Sequence, residues 1–223
     1  MRFTLSAACA LAMSSAALAD MTNFRDWVDA NSFATNSTSN LWYGTTGLGG
    51  PLMAPGTSWI SAGQPFSTPL IGPLVSPGSE PGAAGPATFD GSWVHPGNGI
   101  PAVLTFAPQA PTLVGAVHVH TELIANGLSG NGITIQVLTT IGGVTTNHGQ
   151  TFLGGTVSDQ VDEFNLPAPT VLSPGDTVAI LFGDNGSYLY DHVNFNAWMS
   201  PIPAPGSVAL LGAGLVVAAR RRR

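Results

Sequence analysis

Two histidines separated by one residue, His118 and His120, are the side chains best placed for chemistry in this 223-residue chain. In an extended strand, residues two apart share a face and lie roughly 6.6 Å apart at Cα. Two imidazoles so placed can converge on one transition-metal ion. Glu122 follows on the same face, but at about 13 Å from His118 it lies too far along the strand to complete the set. A third ligand has to come from another strand, and His95 and His192 are the candidates. The alternative is a pair of histidines on a solvent-facing strand, beside Thr121 and Glu122, holding no metal.

Other residues suggest other ligands. Calcium prefers oxygen donors, and Asp159, Asp162 and Glu163 form one acidic cluster while Asp184 and Asn185 form another. Neither follows the twelve-residue calcium loop with its central Gly and terminal Glu. Both suit turns in which Asp bonds its own backbone. Tyr188, Tyr190 and Trp198 fall on one strand face, near Asn194 and Asn196, and Trp42, Tyr43, Trp59 and Trp93 sit in loop-rich segments. A flat aromatic strip with amide neighbours suits a glycan; a strand covered on both sides gives the same spacing by core packing alone.

Hydrolytic chemistry finds little to work with. No G-x-S-x-G elbow occurs, and Gly91-Ser92 and Gly186-Ser187 read as turns. Glu stands only at positions 80, 122 and 163, a thin supply for a paired-carboxylate glycosidase. The Gly-rich stretches lack a following Lys-Ser/Thr, so no phosphate cradle is indicated. The reading is a non-enzymatic protein without a required cofactor, to which calcium or a transition metal could bind. The enzyme alternative is a metal-dependent activity on His118 and His120. Such strand-borne pairs resemble those of cupin metalloenzymes, although no second motif supplies a completing Glu and His.

These residues need a scaffold, and the two ends of the chain say where it is sent. Met1-Arg2, an apolar stretch from Phe3 to Leu18 and the A-x-A triplet Ala17-Leu18-Ala19 make a secretory signal peptide. Signal peptidase would cut after Ala19, leaving Asp20 first. The single cysteine, Cys9, lies inside the signal, so the mature body has no disulfide and no thiolate nucleophile. Between the two ends Arg25 is the lone base and there is no lysine, while every acidic residue lies there. Nucleic-acid binding is excluded, because phosphate contacts need clustered Lys and Arg.

At the other end, Pro201-Ile202-Pro203-Ala204-Pro205-Gly206 precedes an apolar run from Ser207 to Ala219 and the arginines Arg220, Arg221, Arg222 and Arg223. As a helix the run would reach about 20 Å, short of the roughly 30 Å hydrocarbon core, and Gly212 and Gly214 weaken it. It suits transient membrane contact, with the arginines on the cytoplasmic side. This order of parts resembles the PEP-CTERM sorting signal of exported bacterial proteins. The motif is Pro203, Ala204, Pro205 and Gly206, with Ala204 where the family has Glu. The resemblance implies recognition and removal of the tail by an exosortase-type membrane peptidase, and a destination at the cell surface or outside it.

The remaining body, residues 20–200, has the composition of one turn-rich β domain. Phe24, Trp27 and Val28 share a helical face that Thr22 or Asn23 could cap. Prolines at 51, 55, 65, 69, 73, 77, 81 and 86 forbid a long helix in the loop-rich first half. Alternation predicts strands over residues 101–107, 112–123, 133–141, 161–166 and 187–199. Gly142-Gly143 predicts a two-residue hairpin. Residues 177–182 are apolar on both faces and predict a covered central strand. The fold class is all-β: a single, jelly-roll-like β-sandwich flanked by a signal helix and a short C-terminal apolar helix.

Short motifs along the body carry a second resemblance. They are Asn40-Leu41-Trp42-Tyr43-Gly44, the isolated Trp59, Val94-His95-Pro96-Gly97, Ala102-Val103-Leu104-Thr105-Phe106-Ala107-Pro108, Gly175-Asp176-Thr177-Val178 and Tyr190-Asp191-His192-Val193. In this order they are similar to exported sorting-signal proteins whose bodies resemble carbohydrate-binding modules. The resemblance implies one sandwich from about residue 22 to 199, extracellular polysaccharide as a partner, and no catalytic residue.

Overall fold

A computed structural model describes residues 22–56, 58–61, 68–73, 92–123, 131–154, 159–187 and 193–200. The signal peptide and the tail, with their expected helices, lie outside these residues.

The body opens with helix α1 (Phe24–Asn31). Asn23 caps it, its side-chain oxygen accepting from the Arg25 amide at 2.9 Å. The buried stripe is Phe24, Trp27 and Val28, as the spacing predicts. Eleven described strands follow: β1 (Trp42–Thr46), β2 (Trp59–Ile60), β3 (Leu70–Pro73), β4 (Ser92–His95), β5 (Ala102–Phe106), β6 (Thr112–Leu123), β7 (Ile133–Ile141), β8 (Val144–Leu153), β9 (Asp159–Leu172), β10 (Thr177–Asp184) and β11 (Val193–Ser200). They form two antiparallel sheets, one ordered β1-β5-β10-β7-β8 and the other β2-β3-β4-β11-β6-β9. The fold is a β-sandwich with one principal core between the sheets.

Aromatic packing ties the helix to both sheets. The Phe24 ring lies 5.4 Å from Trp42, 6.0 Å from Trp59 and 5.5 Å from Phe195. Trp42 and Trp59 are therefore core residues, fully buried, and not loop aromatics open to a ligand. The polar end of Trp59 is satisfied: its Nε1 donates to the Thr35 carbonyl at 2.9 Å. Gly44 makes this packing possible, since a Cβ there would come within 2.8 Å of the Trp59 ring. Asn36 pins the same corner, donating to the Gly44 and Met53 carbonyls at 2.8 Å each.

β10 is the middle strand of its sheet, in accord with its apolar run. The β7–β8 hairpin turns at Gly142 and Gly143, whose φ values of 56° and 82° favour glycine. Strand β9 runs 14 residues, well beyond the 161–166 that alternation suggests. Its pairing with β6 shifts register between Val114 and Ala116, so an irregularity absorbs the Pro167-Ala168-Pro169 stretch and the strand resumes. Strand β11 is shorter than the predicted 187–199 among the described residues, starting at Val193.

Where helix, sheets and the β5–β6 connection meet, a cleft of about 270 Å³ opens. Thr22, Trp27, Asn31, Leu41, Phe106, Gln109, Ala110 and Thr112 line it, none of them charged. The first described residue sits at its lip: Thr22 accepts from the Met199 amide at 3.2 Å and its hydroxyl donates back to the Met199 carbonyl at 3.4 Å.

Candidate functional site

Alternation along β6 sends Val117 and Val119 into the core and leaves His118, His120 and Glu122 on the outer face of the six-stranded sheet. Antiparallel register then assembles rows across three strands. One row is Trp198 of β11, His118 of β6 and Glu163 of β9. The next is Asn196, His120 and Val161. A third runs Trp93, Asn194, Glu122 and Asp159.

Cross-strand neighbours on one face stand close enough to interact, and here they do. The rings of His118 and Trp198 lie parallel, 5.2 Å apart and 9° from coplanar. His118 Nδ1 is 3.9 Å from the Glu163 carboxylate. His120 Nε2 bonds Asp159 Oδ1 at 2.7 Å, a diagonal reach across the pair. Asn194 donates from Nδ2 to Glu122 Oε2 at 3.4 Å. Asn196 Oδ1 accepts from the Arg25 amide at 3.3 Å, linking the face to the helix. Asn194 is 2% exposed and its Oδ1 meets no donor among the described residues.

The two histidines have separate partners. His118 and His120 share a face, but each engages its own lateral partners and they do not converge. His95 is buried at 2% exposure on β4. Trp93 of that strand sits in the Asn194 row, four residues and about 13 Å from the Trp198 row that holds His118. His95 lies two residues further away still, so it cannot close a site with His118. His192 lies outside the described residues. Among the described residues no three His, Cys, Asp or Glu side chains are grouped to hold an ion.

The acidic clusters are accounted for by local bonding. Asp159 and Glu163 point outward, whereas Asp162 alternates to the other face and accepts from Gln160 Nε2 at 2.7 Å. Asp184 accepts from the Gly99 amide at 2.9 Å, and Asn185 exchanges side-chain bonds with Asn131. Asp176, which the sequence offers only as part of a turn and a short motif, has a structural role. Its carboxylate accepts from the amides of Gly142 and Ser173, at 2.9 and 2.8 Å, tying two turns together. Those bonds, with Gly142 first, hold its pKa below the ordinary carboxylate value.

Of the three aromatics expected to form a strip, Trp198 is described and is half-buried on the outer face. Tyr188 and Tyr190 lie outside the described residues. The partner that sequence reading missed is His118, which stacks on Trp198; a signal for it was the shared parity of residues 118 and 198 on strands that only tertiary pairing brings together.

The fold and the face define an all-β sandwich with one polar, aromatic-bearing outer sheet. Residues 201–223 match the PEP-CTERM protein-sorting motif, and the chain is an exported protein of the cell envelope or the extracellular space. No curated protein matches it in sequence. Similar solved structures include TmCBM61 in complex with β-1,4-galactotriose, 10% identical over 78% of this chain and 94% of that chain, with a TM-score of 0.39. The family 32 carbohydrate-binding module of C. perfringens NanJ in complex with galactose is 12% identical over 69% of this chain and 91% of that one, with a TM-score of 0.30. A Xylanase10C mutant from Cellvibrio japonicus in complex with xylopentaose is 10% identical over 74% of this chain and 28% of that one, with a TM-score of 0.37.

Proposed function

We propose that this exported protein binds glycan on the outer face of its six-stranded sheet and works without catalysis at the cell surface or in an extracellular polysaccharide matrix. The observation that carries the reading is the parallel His118–Trp198 stack, set among Glu163, Asn196, His120 and Asp159. A sugar ring offers an apolar face to an aromatic ring and hydroxyls to amides and carboxylates around it. Tyr188 and Tyr190, just ahead of β11 in sequence, extend the stacking surface in this reading. Signal peptidase acts after Ala19, and an exosortase-type peptidase acts at Pro203-Ala204-Pro205-Gly206, releasing the four arginines and leaving a more acidic product.

A glycan array probed with the exported chain tests the binding. At least one neutral oligosaccharide should be retained, and Trp198→Ala should weaken it by about tenfold or more, some 1.4 kcal/mol. Binding that survives Trp198→Ala unchanged, or no retained glycan at all, removes this face as the site.

A further inference from the structure

We propose that the outer edge of β8 pairs antiparallel with the same edge of a second copy, joining two sandwiches through one continuous sheet. This does not depend on the glycan reading. The edge strands of the two sheets are β1, β8, β2 and β9, and all but β8 are guarded. Asn36, Pro51 and Met53 bond the outer side of β1. β2 has two residues, and Ala54 exchanges both backbone bonds with its Ile60. β9 carries Asp159, Asp162 and Glu163, and its Pro167 and Pro169 lack an amide to donate. β8 has ten residues with no charge and no proline. Residues 123–158 as a whole carry no Asp, Glu, Lys or Arg. The body is acidic with Arg25 as its lone base, so a second copy meets least repulsion at this hairpin.

The turn fixes which way the β8 backbone points. In a two-residue hairpin the flanking residues, here Ile141 and Val144, form the first bonded pair. Odd-numbered residues of β7 therefore bond β8. The β8 residues opposite the even-numbered ones turn their N–H and C=O groups outward. They are Thr145, Asn147, Gln150 and Phe152, opposite Thr140, Leu138, Gln136 and Thr134. No other strand or loop among the described residues bonds their backbone. All four are exposed. Such an open row of donors and acceptors is a template for another strand.

The edge is complementary to itself. A two-fold axis between His148 and Gly149 sets Thr145 opposite Phe152 of the second copy, and Asn147 opposite Gln150 of the second copy. Each pair joins outward side chain to outward side chain and free backbone to free backbone. Four such pairs exchange about eight hydrogen bonds. No like charges meet, an amide faces an amide, and the exposed Phe152 ring gains cover. The register shift between Gln136 and Leu138 makes a bulge of His148 and Gly149. Bulges often turn an edge strand aside, but the axis passes through this one, so both copies bend alike. The bulge also keeps the four outward residues evenly spaced, as the β7 residues opposite them are. The axis stands perpendicular to the sheet, so the two copies turn their His118–Trp198 faces to the same side, as a bivalent surface requires.

Sedimentation velocity of the exported chain over a concentration series tests the pairing. A single strand pair is a small interface, so the parent should dimerise with a Kd of about 10–100 µM. Gln150→Glu sets two carboxylates beside the axis and should weaken the dimer about tenfold or more. Thr145→Pro removes one outward donor and no bond to β7, and should weaken it as much. Leu48→Lys, at an exposed site just past β1 on the opposite edge of the sheet, should leave the Kd within about twofold of the parent. A parent that stays monomeric at about 500 µM, well above that range, overturns the proposal. A dimer that survives both β8 variants overturns it too, and so does one that Leu48→Lys weakens equally.

Discussion

The two outer faces of this sandwich are built from the same pleat and have opposite characters. On the five-stranded sheet the outward positions are Tyr43, Thr45, Val103, Thr105, Thr134, Gln136, Leu138, Thr140, Ala179 and Leu181, with no charged side chain. Val103, Leu138 and Ala179 are buried there and form a small second cluster with Leu181. On the six-stranded sheet the outward positions collect His118, His120, Glu122, Asp159, Glu163 and Trp198. The first face is uncharged and partly buried; the second carries the ionisable groups.

The comparison breaks most sharply at Val103. Val103→Asp puts an unpaired carboxylate into a fully buried position. It should lower the unfolding free energy by about 3 kcal/mol or more in urea titration. A loss below about 1 kcal/mol would mean that the uncharged face is not structural. The matching change on the other face is Asp159→Asn, which removes the carboxylate bonded to His120. Both partners are partly exposed, so stability should move by no more than about 0.5 kcal/mol. A larger loss in thermal melts would show the polar face holding the fold together.

The smallest effect belongs to Asp176, at the end of the five-stranded sheet. Its folded-state pKa is depressed by the Gly142 and Ser173 amides. The stabilisation is therefore present above the ordinary carboxylate pKa, about 3.9, and is lost as pH falls through the lower folded value. Asp176→Asn should melt below the parent at neutral pH, and the gap should close in acid. A gap that stays constant with pH would point to lost geometry and not to lost charge.

What could be read from sequence was what depends on near neighbours. The Phe24-Trp27-Val28 stripe, the Gly142-Gly143 turn and the apolar run of β10 each announce their own environment within a few residues. The sandwich follows from their sum. Burial of Trp42 and Trp59 was hidden, because it depends on Gly44 making room and on Phe24 arriving from the helix. The pairing of His118 with Glu163 and of His120 with Asp159 was hidden for a related reason. It requires the β6–β9 register, which a shift near Ala116 resets. The length of β9 was obscured by Pro167 and Pro169, which read as a strand end while the strand carries on past them.

The bonds between Thr22 and Met199 join positions 177 apart in sequence. The body is therefore nearly a closed ring, lacking only one covalent link. Joining its ends through a short peptide would shrink the conformational freedom of the unfolded chain and leave the folded one undisturbed. By loop-closure entropy that circularisation is worth about 5 kcal/mol, and it would move the choice of termini to any exposed turn, the Gly142-Gly143 hairpin among them.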